Sequence, residues 1–433
     1  MIVCSSWRSG NSQHKRGIML ILVLWIVTIL SLLMYSLLFT LTLETRITSV
    51  RKRSQQAEGI ARAGIAKGFV DLRNDLIADY SGDEIQPFDA EGDFWADPDE
   101  GKLDEEFGDG FYNVEIIDND RFFSLRSISP TNRILLEKII EEIGYNEEDA
   151  KITASAIIDF ADADDRPVLD SATGTEGVAY GILMAEDAGE RVREDDVVEA
   201  VFPNEPYITV ETLLEVYGVT PELYFGPGTP EAAYYRKAMG MEESRRKRRS
   251  DRFQIEDRRR DAEEIFGLKD YFTVESSGSL NLNTAPKHVL TALFIAAGRD
   301  DGDRAAEDVI RFRRGGKSRR IDNSSAFKSM EDFAKSGTLA SFLNPMQALH
   351  PITVRSTSFN VRSTGTIYGV NKTLEVIVTR ELTQVQRVED FEYLDRARDR
   401  RERFREQRER WEDKDNEQLL RIPSIYIKRW KVN

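Results

Sequence analysis

The sequence predicts an α+β protein in which one long N-terminal helix precedes a small antiparallel sheet, and a large helical region is inserted between the strands of that sheet. Three observations lead to this prediction. The 26 residues from Ile18 to Leu43 carry no charge, helical patterns recur across 131–345, and apolar and polar side chains alternate within 352–381. Apolar residues every three or four positions indicate a helix, whereas alternation indicates a half-buried strand.

The charge-free run is long enough to cross a membrane. As a helix it extends about 39 Å, against a hydrocarbon core of about 30 Å. A polar helical pattern follows without Gly or Pro until Gly59, which predicts a stalk continuous with the membrane helix. A secretory signal peptide is excluded because the run is too long and ends in Leu41-Thr42-Leu43-Glu44 rather than an A-x-A-like site. An ordinary signal anchor fits the apolar run equally well.

The remainder of the chain is polar and acidic, with room for two or three domains. Of 433 residues, 31% are charged, and the formal net charge is −16. This balance argues against the basic footprint of a nucleic-acid-binding protein. The single cysteine is Cys4, so the chain after it forms no disulfide, which is compatible with an oxidising compartment.

The residues before the apolar run form a short basic leader that ends in Lys15-Arg16-Gly17. This arrangement resembles a type IV prepilin leader, although most family members have Phe or Met where Ile18 stands. The resemblance implies that a prepilin peptidase cuts after Gly17 in the cytoplasm and that the new N-terminus at Ile18 is methylated. At the fifth mature position, where ordinary pilins carry Glu, this chain has Leu22. That absence resembles the minor pseudopilin K of type II secretion, the general secretion pathway protein K family.

Two further motifs carry the same resemblance. A helical pattern at 149–161 runs into an acidic stretch, with Phe160 where the family usually has Trp. The segment 204–224, which ends in Gly218-Val219-Thr220-Pro221-Glu222-Leu223-Tyr224, is similar to a second family signature. The resemblance implies a pseudopilin fold, with a long transmembrane and stalk helix, a small antiparallel sheet and an inserted SAM-like helical region.

The predicted organisation follows chain order. The segments are a prepilin leader at 1–17, a transmembrane and stalk helix at 18–78, the first strands at 79–130, an inserted helical domain at 131–270, a helix–hairpin–helix-like module at 271–345, C-terminal strands at 346–385 and a charged tail at 386–433. The resemblance covers most of this organisation, but not the charged run at 241–266 or the tail.

Local patterns predict the strands and turns within these segments. The acidic stretch 79–110, with scattered Gly and Pro, indicates a surface connection. Two short apolar runs flank Asp118-Asn119-Asp120 and indicate a β-hairpin. The alternating stretch 352–381, with a turn near Tyr368-Gly369, predicts antiparallel strands that complete the sheet begun before the helical region.

Helix signals place two helices at 133–143 and 149–161. A further helix is expected to begin near Pro286, with Asn283 or Thr284 as its cap, because Pro suits the first turn and Asn or Thr side chains accept from its backbone. This helix and the pattern that follows resemble a helix–hairpin–helix module. The acids between the two helices would repel the phosphate that DNA-binding versions hold. They are Asp300, Asp301 and Asp303.

An acidic cluster is the strongest chemical constellation in the sequence. It comprises Asp159, Asp162, Asp164, Asp165 and Glu176. Several carboxylates within a few residues suit Ca²⁺, which takes six to eight oxygen ligands, although the spacing is not that of an EF-hand. The alternative is that these are helix-end and turn carboxylates that face water. The family resemblance adds that related proteins carry Ca²⁺ in this helical domain.

Catalysis finds no support. The only histidines are His14, His288 and His350, and the sequence contains no Ser-His-Asp order, metal-protease motif or phosphate loop. We therefore expect a protein that is not an enzyme.

The expected function, on the family resemblance, is that of a minor pseudopilin at the tip of the type II secretion pseudopilus, supporting protein secretion across the outer membrane. The expected location is the bacterial inner membrane, with a single pass and the bulk of the chain in the periplasm. Expected partners are the other minor pseudopilins of the tip, the prepilin peptidase, the inner-membrane secretion platform and the lipid bilayer, and no nucleic acid. The runner-up is a membrane-anchored helix–hairpin–helix protein that binds DNA. A bare structural anchor comes third.

Overall fold

The computed structural model describes residues 13–81, 87–93, 95–96, 104–169, 174–189, 197–238, 265–314, 326–335, 337–385 and 420–432. It combines one very long helix, a five-stranded antiparallel sheet and a body of short helices. The predicted α+β class is therefore confirmed. The predictions for the charged run at 241–266 and for most of the tail lie outside the described residues.

Helix α1 (Gln13–Ser81) is 69 residues long and unbroken. The predicted continuity of the apolar run with the stalk, as one helix, is therefore confirmed. Its large apolar side chains between Met19 and Leu43 have exposed fractions of 48–75%, and this part of α1 is long and apolar enough to cross a membrane. From Ala57 to Leu76 one face of the same helix is buried.

The buried half of α1 lies against the sheet at van der Waals distance because small residues line the contact. A Cβ added at Gly68 would lie 2.7 Å from Val361 Cγ1, and one added at Gly64 would collide with the Ser363 hydroxyl. The core between helix and sheet includes Ile65 and Leu72 of the helix. A side chain at either glycine would force the helix off the sheet.

The strands divide into one sheet and two short ribbons. They are β1 (Glu105–Phe107), β2 (Gly110–Asp118), β3 (Phe123–Ser124), β4 (Phe272–Thr273), β5 (Leu280–Asn281), β6 (Ile352–Thr353), β7 (Ser358–Ile367), β8 (Val370–Val385) and β9 (Leu420–Val432). The sheet has the order β1-β2-β7-β8-β9, and β3 pairs with β4 and β5 with β6. The antiparallel pairing of β2 with β7 closes the sheet across the helical insertion, as predicted.

The predicted hairpin around Asp118-Asn119-Asp120 is wrong. Strand β2 pairs with β7, and β3 pairs in parallel with β4. The reason is that the Asp118 carboxylate accepts from the Thr284 and Ser356 hydroxyls, and Asp120 accepts from the Ser276 hydroxyl. These distant donors lead the chain into the helical body instead of back along β2.

The helical body contains α2 (Arg133–Ile143), α3 (Glu147–Asp159), α4 (Glu176–Ala188), α5 (Pro221–Phe225), α6 (Pro230–Ala238), α7 (Lys287–Ala296), α8 (Gly302–Arg313), α9 (Met330–Ala334) and α10 (Leu343–Leu349). The predicted helix at 133–143 is confirmed, and the predicted helix at 149–161 begins and ends two residues earlier. The predicted helical domain at 131–270 and the predicted module at 271–345 share one hydrophobic core, which includes Ile139, Ile157 and Val289.

The predicted cap of α7 is wrong. Pro286 occupies the cap position without a side-chain hydrogen bond. The Asn283 amide instead exchanges two hydrogen bonds with the Phe327 backbone, at 2.9 and 3.0 Å. The Thr284 hydroxyl donates to Asp118. Both side chains therefore join the helical body to other segments rather than capping the helix beside them.

Candidate metal centre

The acidic cluster lies where α3 ends and α4 begins. Asp159 is the last residue of α3, Glu176 is the first residue of α4, and Asp162 lies in the turn after α3. One carboxylate oxygen from each lies within 4.8 Å of the others. Two oxygens that each lie about 2.4 Å from one ion are at most about 4.8 Å apart. The three side chains are therefore close enough to share a single Ca²⁺.

Three oxygens of this cluster are buried without hydrogen-bond partners in the described residues. Asp159 and Glu176 have no exposed surface. Both Glu176 carboxylate oxygens and Asp162 Oδ1 lack a hydrogen-bond partner in the described part of the chain. Buried charge is costly unless a cation or hydrogen bonds compensate it. The donor set thus fits a hard divalent cation that would supply the missing compensation.

The pKa values follow from this burial. Burial raises the pKa of Glu176 to about 8, and repulsion from Asp159 and Asp162 adds to the shift. Burial also raises the pKa of Asp159 to about 6, although a hydrogen bond from Tyr180 lowers it. Burial and then repulsion from Asp164 raise the pKa of Asp162. A bound cation favours the ionised carboxylates, so we expect metal affinity to increase with pH.

Neighbouring side chains orient Asp159. The Tyr180 hydroxyl donates to Asp159 Oδ2 at 2.6 Å, and the Val168 backbone N–H donates to Oδ1 at 2.9 Å. Phe160, next in the chain, stacks on Tyr207 with ring centroids 5.4 Å apart. The Tyr207 hydroxyl donates to a carbonyl of α3 at 2.8 Å. These contacts hold the end of α3 in place beneath the carboxylates.

The other two predicted ligands lie apart from this group. Asp164 Oδ1 accepts from the Arg166 backbone N–H at 2.9 Å, and Asp165 is exposed. The Asp164 carbonyl accepts from the Asn204 side chain at 2.7 Å, and Asn204 Oδ1 is buried without a partner in the described residues. Asn204 opens the second sequence motif, so that motif contacts the acidic turn. Sequence reasoning did not include Asn204 in the site.

A second charged site lies where the stalk meets the sheet. The Arg380 guanidinium, which is fully buried, donates to Asp75 Oδ2 of α1 at 2.8 Å and to the Asp89 carboxylate. Asp89 Oδ2 also accepts from the Ser356 backbone N–H at 2.8 Å. The guanidinium lies 4.8 Å from the centroid of the Phe359 ring. One arginine therefore joins α1, the segment after it and strand β8.

Sequence reasoning missed this second site, and the structure corrects the interpretation of 79–110 as a surface connection. Asp89 is fully buried, Trp95 is 5% exposed, and Trp95 packs edge-on against Phe359 at 5.0 Å. Burial and repulsion from Asp89 raise the pKa of Asp75 to about 6, against the attraction of Arg380. No local pattern marks these residues, because Asp89 and Arg380 are 291 positions apart.

The residues predicted to undergo processing, Gly17 and Ile18, lie near the beginning of α1. Leu22 is 56% exposed on the apolar part of that helix. The processing of Gly17 and Ile18 stays a prediction.

The helix pair α7 and α8 has acidic residues at its turn. Asp301 pairs with Arg299 at 2.6 Å, and Lys287 pairs with Asp303 and Glu307 at 2.8 Å each. Lys287 and Arg299, two cations near the turn, are therefore engaged by carboxylates, which disfavours phosphate binding there.

Comparisons with known proteins give a limited result. No family model matches the chain, and no curated protein matches it. A chain in the crystal structure of the GspK–GspI–GspJ complex, from the type 2 secretion system of enterotoxigenic Escherichia coli, is similar in structure. Its TM-score is 0.48 and its sequence identity 15%, over 77% of this chain and 94% of that chain. The α+β class of this chain follows from its own helix and strands.

Proposed function

We propose that this chain is a minor pseudopilin K of a type II secretion system, located at the pseudopilus tip and supporting protein secretion across the outer membrane. The single observation that carries the proposal is the division of α1. Its first half exposes a charge-free apolar surface, and its second half packs on an antiparallel sheet into which a helical body is inserted. The first half suits membrane insertion, and the second half holds a folded head on the same rigid helix.

The leader and Leu22 support a tip position. Cleavage after Gly17 would expose the Ile18 amine at the start of the apolar half. In the pilin family, the Glu at the fifth mature position is thought to pair with the terminal amine of a neighbouring subunit. Leu22 cannot make that pairing, and a carboxylate within hydrocarbon is retained only when it has a partner. A subunit at the end of a fibre has fewer neighbours with which to pair.

We further propose that the helical body binds Ca²⁺ through Asp159, Asp162 and Glu176. The exposed Asp164 and Asp165 would not be ligands, but would add negative charge near the site. The unpartnered oxygens of Glu176 and Asp162 support this assignment. The ion would supply positive charge that joins the end of α3 to the beginning of α4, and its role is structural. Asp159 would be held in its binding orientation by the Tyr180 hydroxyl.

The first test is mass spectrometry of the full chain, intact and at its N-terminus, with and without a co-expressed prepilin peptidase. We expect a chain that begins at methylated Ile18 only when the peptidase is present. Gly17→Asp should abolish cleavage, whereas Gly10→Asp, elsewhere in the leader, should leave it unchanged. A chain that stays uncut and retains Met1 would contradict the pseudopilin proposal and favour a simple signal anchor.

A second test separates the pseudopilin proposal from DNA binding. The full chain in detergent should show no salt-dependent retention of duplex DNA, because the turn between α7 and α8 carries acids and the neighbouring Lys287 and Arg299 are paired with carboxylates. Retention that falls steeply with salt would favour the helix–hairpin–helix alternative.

A further inference from the structure

Four basic residues encircle α1 just beyond its apolar run. This basic collar consists of Arg46, Arg51, Lys52 and Arg53, and all four are exposed. Successive residues of a helix are about 100° apart, so Arg51 and Lys52 point to two further sides of α1, whereas Arg46 and Arg53, which are seven residues apart, share one side. They follow Leu43 by about 4 to 15 Å along the helix axis. The collar therefore lies directly above the apolar half.

The collar forms no ion pair with the part of the chain that the structure describes. Among the residues that the structure describes, Arg46, Arg51 and Lys52 form no ion pair, and Arg53 lies over the Tyr368 ring at 5.5 Å. The next cation of the helix differs, because Arg62 pairs with Glu58 at 2.8 Å. In a chain of net charge −16, four exposed cations that form no ion pair with the described residues are suited to an anionic partner outside the chain.

The tip of the β7–β8 hairpin reaches the same level of the helix. Gly365 of β7 lies against Ala57, and Val361 lies against Gly68, so β7 runs towards the apolar half of α1 and its turn lies nearest to it. That turn consists of Tyr368 and Gly369, with φ values of 47° and 76°, a type I′ geometry that suits a two-residue hairpin. Tyr368 is 65% exposed. Tyrosine is enriched where a protein meets lipid headgroups.

We infer that the basic collar and Tyr368 form a docking surface for the anionic phospholipid headgroups of the bilayer that α1 crosses. The inference rests on the proposed membrane-anchored function. Headgroup layers extend about 5 to 8 Å beyond each side of the hydrocarbon core, and long Lys and Arg side chains reach towards such a layer from positions above it. Charge complementarity with anionic lipid then sets how deeply the stalk sits and holds the hairpin tip near the membrane.

The test uses the full chain in nanodiscs. Cys4→Ser removes the only native thiol, and Asn371→Cys, beside the hairpin turn, carries a fluorophore. A contact quencher is attached to the lipid headgroup. We expect quenching at least about twofold stronger in discs that contain phosphatidylglycerol than in discs of phosphatidylcholine alone, and we expect high salt to remove the difference. The triple variant Arg51→Gln, Lys52→Gln, Arg53→Gln should lose it at low salt.

A matched control neutralises three exposed cations of the helical body, Arg304→Gln, Lys328→Gln and Lys335→Gln, and should retain the lipid dependence. Tyr368→Ala should reduce quenching in both kinds of disc. Quenching that is independent of phosphatidylglycerol, or unchanged in the triple collar variant, would overturn the inference. Chemical cross-linking of two copies of the chain gives a further check. If the triple collar variant lost only this cross-linking and kept the lipid-dependent quenching, the inference would also be overturned. Failure of the chain to enter discs at all would instead contradict the membrane-anchored function.

Discussion

Two groups of three largely buried carboxylates in this chain differ in whether a positively charged side chain lies among them. Asp75, Asp89 and Asp93 lie where the stalk meets the sheet, and the second group, Asp159, Asp162 and Glu176, lies in the helical body. In each group, one oxygen from every side chain lies within 4.8 Å of the others. The first group contains the guanidinium of Arg380, whereas the second has no ion pair among the described residues.

The difference shows that burial and proximity of carboxylates do not by themselves define a metal site. A fixed arginine supplies the positive charge of the first group, together with hydrogen bonds that satisfy the oxygens. In the second group, both oxygens of Glu176 lack a partner, so its positive charge must come from solution or a proton must be taken up. We therefore interpret the first group as a structural contact between α1 and the sheet, and the second as the candidate cation site.

The largest effect on stability is expected from removing the positive charge of Arg380. Arg380→Met leaves Asp75 and Asp89 buried without their partner, and should lower the free energy of unfolding by about 3 to 5 kcal/mol. Urea denaturation of the full chain in detergent, followed by circular dichroism, measures this change. Arg362→Met on the neighbouring strand removes a half-exposed pair with Glu375 and Glu115 and should cost at most about 1 kcal/mol. Equal losses in the two variants would contradict a special role for Arg380.

A smaller effect on stability is expected from adding Ca²⁺ to the second group. Ca²⁺ at about a hundred times its dissociation constant should stabilise the wild-type chain by about 2.7 kcal/mol. Glu176→Gln should remove most of this stabilisation, whereas Glu186→Gln, an exposed acid on the same helix, should preserve it. Calorimetric titration and thermal unfolding both report the result. An unchanged response in Glu176→Gln would assign the ion to another site.

The metal-free chain should lose stability as pH rises. The pKa of Glu176 is raised to about 8 by burial, so between about pH 5 and 8 the folded state retains a proton that the unfolded state has released. The free energy of unfolding therefore decreases with pH across that interval, by on the order of 2 kcal/mol. Asp159 and Asp75 contribute in the same direction near pH 6.

Comparison with Glu176→Gln isolates the contribution of this carboxylate together with its repulsion of Asp159 and Asp162, because groups remote from the cluster titrate equally in both chains. The variant should show a flatter decline above pH 6, measured by urea denaturation in a chelator. Parallel curves for the two chains would indicate that Glu176 is not the group responsible.

The smallest effect is expected from a substitution of Asp165, at the edge of the acidic cluster, on Ca²⁺ binding. Asp165 is exposed and is not one of the three grouped carboxylates. Asp165→Asn should therefore change the Ca²⁺ dissociation constant by no more than about threefold, since an exposed charge interacts weakly through water. A calorimetric titration that shows complete loss of binding would make Asp165 a direct ligand.

Some elements were predictable because their signal is local. A run without charge from Ile18 to Leu43 indicates a long exposed apolar helix wherever it occurs, and alternation across 352–381 indicates strands. Helix α2 matches its predicted bounds, 133–143, because its apolar residues recur at helical spacing. The chain after 386 shows the limit of such patterns. It was predicted as a charged tail, but Leu420–Val432 forms strand β9 and pairs with β8.

The candidate metal site was partly predictable. Five acids close in the sequence suggested a cation site, and three of them come together in the structure. Which three depends on where α3 ends and α4 begins, and on the Tyr180 hydroxyl that holds Asp159. The hairpin at Asp118-Asn119-Asp120 was wrong because those carboxylates find donors in remote segments, which no local propensity reveals.

The sequence by itself determined the membrane-length helix, the α+β class and the acidic region that contains the candidate metal site, because each depends on residues within a few positions of one another. Only the tertiary structure decided which carboxylates carry an internal counter-charge. Asp75 and Asp89 meet Arg380 across 305 and 291 positions of chain. Charges so far apart in sequence approach one another only when α1 packs on the sheet, and their compensation therefore depends on that packing.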